Sequence, residues 1–254
     1  LPIRQRGGNA LPSSEDNAFG QCPASSPAIR PPREREKFQS VPHGQALEFK
    51  QNKAPGGRRF LPVERDIEQI HICMAMPGAP LDSLEQYALF ILSNVLGGSM
   101  SSRLFQKIRE ERGLAYSIYS YPTCYRSTGS FSFYAGTGEN QAVEVLKIMR
   151  SEVESVLKDG ITQEEFKRSK EQLKGSYLLA QEGTSSHMNA LGKTALLLNR
   201  VYNEQETIQR IESITQEDVE RLIPTVLDIN NTSTVCVGRV KKQEDELRSL
   251  LEIK

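Results

Sequence analysis

The chain has 254 residues, 37% of them hydrophobic and 25% charged, with 32 basic side chains balanced by 32 acidic ones. That length allows one large domain or two small ones, and a formal net charge of zero supplies no global field for recruiting nucleic acid or an anionic membrane surface. No apolar run approaches the roughly 20 residues needed to span a bilayer, and no signal-type apolar segment is visible.

Residues 1–57 form a polar stretch containing Pro23, Pro27, Pro31 and Pro32 and few large apolar side chains. Such a segment buries too little surface to offset its ordering entropy, so it reads as a disordered tail or linker. Its basic run, Arg30, Arg33, Arg35 and Lys37, is diluted by Glu34 and Glu36 and reads as solvated rather than as a binding arm. The first residue is leucine rather than methionine, and the expectation from this is a processed product or a fragment.

From residue 58 onward the apolar periodicity is continuous. Ile70, Ile72, Met74 and Met76 alternate with smaller or polar residues, which predicts a half-buried strand closed by Pro77-Gly78. Asp82 or Ser83 can cap a helix whose apolar positions run from Leu84 to Leu96 and which Gly97-Gly98 ends. A short helix extends from Ser101 or Ser102 to Glu111, with Gly113 past its end. Two strands, about 115–122 and 129–137, flank a polar turn and predict an antiparallel hairpin. Val143 to Leu157 predicts an amphipathic helix stopped by Asp159-Gly160. Thr162-Gln163-Glu164-Glu165 opens another through about Gln181, Thr184 or Ser185 a third to about Leu198, and Thr215-Gln216-Glu217-Asp218 a fourth. A strand over 234–240 closes the order. Strands interrupted by runs of helices imply an α+β domain over 58–254, with a mixed, mostly antiparallel sheet and helices packed on one face.

Candidate chemistry is sparse. His43, His71 and His187 are the only histidines, none with a second at helical spacing, and neither HExxH nor HxxEH occurs, so no zinc-peptidase helix face is encoded. Cys22, Cys73, Cys124 and Cys236 lie far apart without a CxxC pair, and three of them read as buried thiols suited to a reducing compartment. No GxSxG elbow is present, and no cysteine sits at a helix start, where its thiolate would be favoured. Gly136-Thr137-Gly138-Glu139 lacks the GK[ST] ending of a phosphate loop and reads as a tight turn. The remaining candidates are Arg109 and Tyr116, near the end of a helix and at the start of the next strand. A guanidinium offers forked donors and a phenol one donor, and both suit the carbonyl oxygens of an extended peptide. The other reading of the same residues is a charged helix face of Arg103, Lys107, Arg109 and Arg112 with Glu110 and Glu111, and Tyr116 packed as filler.

The stretch Asn94-Val95-Leu96-Gly97-Gly98-Ser99-Met100-Ser101-Ser102-Arg103-Leu104-Phe105, continuing into Ile108-Arg109-Glu110-Glu111-Arg112-Gly113-Leu114-Ala115-Tyr116-Ser117, resembles the signature of the second homologous half of pitrilysin/insulinase zinc peptidases, in the branch of bacterial and mitochondrial processing peptidases. The likeness runs from about Phe60 to Val240, and residues 1–45 do not share it. The resemblance implies one half of a clamshell. In that family the first half carries HxxEH and the zinc, and the second holds the substrate backbone with an Arg/Tyr pair, here Arg109 and Tyr116. It further implies no metal and no complete catalytic site on this chain. Zinc would be supplied by a complementary half, in the same polypeptide or a separate subunit, with a peptide or unfolded protein as substrate, most simply in a bacterial cytoplasm or else a mitochondrial matrix. The alternatives within the resemblance are a non-enzymatic core or scaffold subunit and an inactive truncated peptidase.

Overall fold

Alternating burial along the strands builds a sheet with one covered face. In the computed structural model, which describes residues 57–251, strand β1 spans Arg59–Glu64, β2 Gln69–Gly78, β3 Ala115–Cys124, β4 Gly129–Gly138 and β5 Ser233–Gly238. The tail assigned to residues 1–57, with Cys22 and His43, falls outside the described residues but for Gly57. The strands lie in the order β1-β5-β2-β4-β3. Only β1 and β5 run parallel; every other pairing is antiparallel. Ile70, Ile72, Met74 and Met76 of β2 are buried, as are Phe131 and Phe133 of β4, whose rings meet edge to face at 4.9 Å. Each large apolar side chain taken fully out of water contributes about 1.5–3 kcal/mol.

The helices are α1 (Leu84–Leu96), α2 (Ala142–Asp159), α3 (Gln163–Gln181), α4 (Thr184–Leu198), α5 (Glu204–Ser213), α6 (Gln216–Val226) and α7 (Glu244–Leu250), with a π-helical segment at Phe105–Glu110. The covered face of the sheet meets Leu89, Leu92 and Leu96 of α1, Leu146, Met149 and Val153 of α2, and Leu222, Ile223 and Val226 of α6 in one core. The fold is α+β, a mixed and mostly antiparallel sheet with helices gathered over one face.

Three elements go beyond the apolar periodicity. Strand β1 is six residues long and carries Pro62, which an edge position tolerates because the ladder needs no donor there. Helix α5 is opened by Asn203, whose side chain accepts from the Glu206 amide at 3.2 Å, and α7 comes after the last strand. Both capping boxes form, Thr162 with Glu165 and Thr215 with Asp218. Ser83, not Asp82, caps α1. Asp82 instead takes a left-handed backbone, φ 68°, and receives the guanidinium groups of Arg200 and Arg210, so charge partners hold a conformation that an L-residue otherwise avoids.

The end of α1 is fastened to β3 at backbone range. Ser93 donates its hydroxyl to the Ser120 carbonyl at 3.0 Å, and the Ser120 hydroxyl donates to the Ser93 carbonyl at the same distance. Both serines are buried. A Cβ on Gly97 would stand 2.5 Å from the Ser120 amide nitrogen, so only glycine lets the helix end this close to the strand. Gly97→Ala is therefore expected to destabilise the domain by about 1–3 kcal/mol, read as a lower urea midpoint with unchanged slope. A midpoint equal to that of the unaltered chain would show that the strand yields without cost.

Candidate functional site

The segment between α1 and β3 is irregular in a way that aims two side chains. The buried Ser102 hydroxyl donates to the Ser99 carbonyl at 2.5 Å and closes the turn after Gly97-Gly98. Beyond this turn the chain departs from the ordinary short helix expected over 101–111. Phe105–Glu110 is π-helical, with the Glu111 amide reaching back five residues to the Gln106 carbonyl at 2.9 Å. Such wide turns rotate the side chains after them relative to a regular helix. Gly113 takes a left-handed backbone, φ 61°, and the Leu114 amide returns to the Ile108 carbonyl at 2.9 Å. The Thr137 hydroxyl then donates to the Leu114 carbonyl at 2.6 Å, seating the chain beside β4.

Strand β3 opens with a bulge. Ala115 pairs with Thr137 and Ser117 with Gly136, so Tyr116 has no partner across the ladder. A bulged residue is freed from the alternation of the strand and its side chain is re-aimed. Tyr116 is 75% exposed, on the edge strand, with the Arg109 guanidinium 4.5 Å from its ring centre. The Phe105 ring flanks the same guanidinium at 4.8 Å. Arg109 thus lies over two aromatic faces, a cation–π arrangement of about 0.5–1 kcal/mol per exposed contact.

The neighbouring cations have different duties. Arg103 makes two bonds to Glu165, Nε to Oε1 at 2.6 Å and Nη2 to Oε2 at 2.8 Å, and a third to the Gly160 carbonyl. Lys107 Nζ lies 2.5 Å from Glu152 Oε1, and Arg112 lies 3.0 Å from Glu144. All three tie the segment to α2 and α3. The carboxylate near Arg109 is Glu110, at 3.8 Å, a distance at which no hydrogen bond forms. This sorts the four cations: three are structural fasteners, and one presents its donors beside an exposed phenol. Arg103, Lys107 and Arg112 pair with acidic residues of α2 and α3, Arg109 pairs with the adjacent Glu110, and Tyr116 is exposed rather than packed. A planar cation and a phenolic hydroxyl side by side at an open sheet edge can donate together to backbone carbonyls.

Phe105 and Glu152 join this arrangement without being evident as site residues from the sequence. Phe105 stands four residues before Arg109, a helical spacing that is a usable signal. Glu152 has none, because its buried position depends on how α2 packs. It is only 3% exposed, and its second oxygen has no partner among the described residues. Burial pushes the Glu165 carboxyl up, but the bonds from Arg103 and from the Thr162 backbone outweigh it and bring it down to about 2.

The remaining candidates resolve as structure. His71 lies on the open face of the sheet with Nδ1 2.7 Å from the Tyr134 hydroxyl, and Tyr119 stacks on Tyr134 at 4.9 Å. His187 is exposed, in the first turn of α4. Cys236 is buried and its thiol is pushed up to about 12, which leaves it a poor nucleophile. Gly138-Glu139 makes a strand-to-helix turn, with Glu139 held by Lys242 at 3.1 Å. Among the described residues no group of three or more His, Cys, Asp or Glu is placed to hold a metal ion, so these residues do not fit a zinc site. Nor, among them, is any helix long and apolar enough to cross a membrane.

Comparison with known proteins matches residues 15–173 to the family described as the peptidase M16 inactive domain. The chain belongs to that family. The match begins inside the proline-rich N-terminal stretch, so the likeness reaches further toward the N-terminus than the signature resemblance, which leaves out residues 1–45. An uncharacterized zinc protease of Bacillus subtilis is 42% identical over 159 residues, covering 63% of this chain and 39% of that protein. One from Rickettsia felis is 31% identical over 199 residues, 78% of this chain and 48% of that protein. Among solved structures, a protease from Helicobacter pylori superposes with a TM-score of 0.69 at 22% identity, over 80% of this chain and 50% of that one. A peptidase M16 inactive domain from Pseudomonas fluorescens gives 0.68 at 23% identity, over 76% and 46%. The chain therefore spans about half or less of the length of the relatives it matches.

Two stability outcomes arise from the fasteners. Lys107→Ala leaves the Glu152 carboxylate buried without its cation and should cost about 1–3 kcal/mol, against no measurable loss for an ordinary surface lysine; urea unfolding decides. Glu165 has a folded pKa below its ordinary 4.5, so its contribution is complete above pH 4.5 and is lost as pH falls toward 2. With solvent screening allowed for, it amounts to no more than about 2 kcal/mol. Glu165→Gln should be less stable than the unaltered chain at pH 6 and converge with it near pH 2. A gap that persists at pH 2 would assign the effect to something other than this ion pair.

Proposed function

We propose that this chain is the substrate-holding, non-zinc half of a zinc metalloendopeptidase of the processing-peptidase type, completing an active site with a zinc-bearing half in the same polypeptide or a separate subunit. The observation that carries the reading is the Arg109–Tyr116 pair, a guanidinium at 3.8 Å from the adjacent Glu110 and laid over an exposed, bulge-aimed phenol. The zinc protease names of the relatives and their greater length support it. In this reading the Arg109 fork grips carbonyl oxygens of an extended peptide, and the Tyr116 hydroxyl donates to the scissile carbonyl oxygen. Its bond shortens as negative charge builds there, which lowers the barrier rather than tightening ground-state binding. The metal and its activated water belong to the other half, and no step is assigned to a metal on this chain.

The test is turnover of a peptide by this chain combined with a zinc-bearing half. Tyr116→Phe should lower kcat by about 10²-fold with little change in KM. Arg109→Ala should lower kcat/KM by about 10- to 100-fold, and Arg109→Lys should recover only part of that, because an ammonium lacks the planar fork. Unchanged kcat in Tyr116→Phe removes the assigned role, and stoichiometric zinc bound to the lone chain removes the division of labour.

A further inference from the structure

Between α1, α3, α4 and α5 lies a cleft of about 410 Å³ whose apolar walls include Phe90, Leu173, Tyr177, Leu198 and Ile211. Small-molecule sites fall in this range, roughly 300–1,000 Å³, and are mostly apolar with a few convergent polar groups. Neither Arg109, Phe105 nor Tyr116 borders it, so it is separate from the arrangement described above.

The polar groups of the cleft carry an excess of donors. Arg200 lines it and is held by two acids, Nη1 to Glu206 at 2.7 Å and Nη2 to Asp82. Arg210 holds the same carboxylates, Asp82 at 2.7 Å and Glu206 at 2.6 Å. Two guanidinium groups thus offset both acids, and Lys193 adds a further cation to the lining. The Arg200 Nε–H is buried and has no hydrogen-bond partner among the described residues. A buried donor without an acceptor is costly and calls for an explanation. The Tyr177 and Tyr202 hydroxyls, both in the lining, bond to each other, and since one proton serves that bond the other is left to donate. Burial raises the Tyr202 phenol above its ordinary value, so it keeps its proton.

The backbone here is also unusual. Asp82, φ 68°, and Asn199, φ 52°, are the only non-glycine residues in the left-handed region among the described residues. Asp82 lines the cleft, and Asn199 stands between the lining residues Leu198 and Arg200. Conformations of this kind collect at ligand clamps, where surrounding contacts hold them.

We infer that this cleft binds a small carboxylic acid with an apolar tail. The tail lies against Phe90, Leu173 and Leu198, and the carboxylate accepts from Arg200 Nε–H and from the spare tyrosine proton. A bare anion would satisfy the donors and leave the apolar walls wet; a hydrocarbon would do the reverse. The inference stands independently of the function proposed above.

The experiment titrates the whole chain at pH 7 with sodium octanoate, below its micelle-forming concentration, by isothermal calorimetry. Acetate and octanol serve as the head and the tail alone. Octanoate is expected to bind at one site with a dissociation constant on the order of 0.1 mM, and to raise the thermal midpoint as its concentration grows. Octanol should bind roughly tenfold more weakly, and acetate not measurably. Ala190→Phe, which sets a ring into the cleft from α4, should abolish octanoate binding without lowering the midpoint of the ligand-free chain. Arg200→Lys keeps a positive charge but lacks the Nε–H, and should weaken octanoate about tenfold while leaving octanol unchanged. Should Arg200→Lys lose both ligands, its cleft has collapsed and Ala190→Phe decides. Octanoate that binds no better than octanol overturns the carboxylate contact and with it the inference. Binding that survives Ala190→Phe overturns it too, as does the absence of saturable binding to the unaltered chain.

Discussion

One buried carboxylate governs the geometry around Arg109. Glu152, on α2, takes the Lys107 ammonium at 2.5 Å from beneath the π-helical segment. A wide turn of this kind leaves backbone and side chains poorly packed along its axis, and without anchors it would relax toward a regular helix. Lys107 to α2 and Arg103 to Glu165 of α3 hold it at two points, with Arg109 projecting from the free side. Glu152 and the Arg103–Glu165 pair lie in shielded surroundings, where an ion pair is stronger than in water, and Arg112–Glu144 is open to solvent.

The second requirement is that β3 begin where it does. It is an edge strand, paired only with β4, so nothing on its outer side fixes its register. The reciprocal bonds between Ser93 and Ser120, together with the backbone approach that Gly97 permits, lock it from the α1 side. Register matters more here than in a central strand, since a slip of one residue would turn Tyr116 toward the core and abolish its contact with Arg109.

Much of this is legible in the residues, and the reasons for the gaps are physical. The β2 alternation, the α1 stripe and both capping boxes are short-range patterns, and each forms as its local chemistry dictates. Strand β1 escapes a reading of periodicity because Pro62 and only six residues give it no signal of its own; it exists because β5 offers it a parallel partner. Helix α5 begins at Asn203, a cap easily overlooked beside the stronger Thr215 box. Within the site, Arg109 and Tyr116 can be named from residue type and order, but not separated from a charged surface helix. That separation needs the partners of Arg103, Lys107 and Arg112, which come from helices some thirty to sixty residues away. The π-helical turn and the bulge at Tyr116 arise from packing rather than composition.

Arg109 and Tyr116 are seven residues apart, and three of the features that set their mutual position lie on or beside that stretch: the Phe105 ring, the left-handed Gly113 and the bulge against Thr137 and Gly136. A chain boundary placed anywhere outside the stretch from α1 to β4 therefore leaves the guanidinium and the phenol on the same piece of polypeptide.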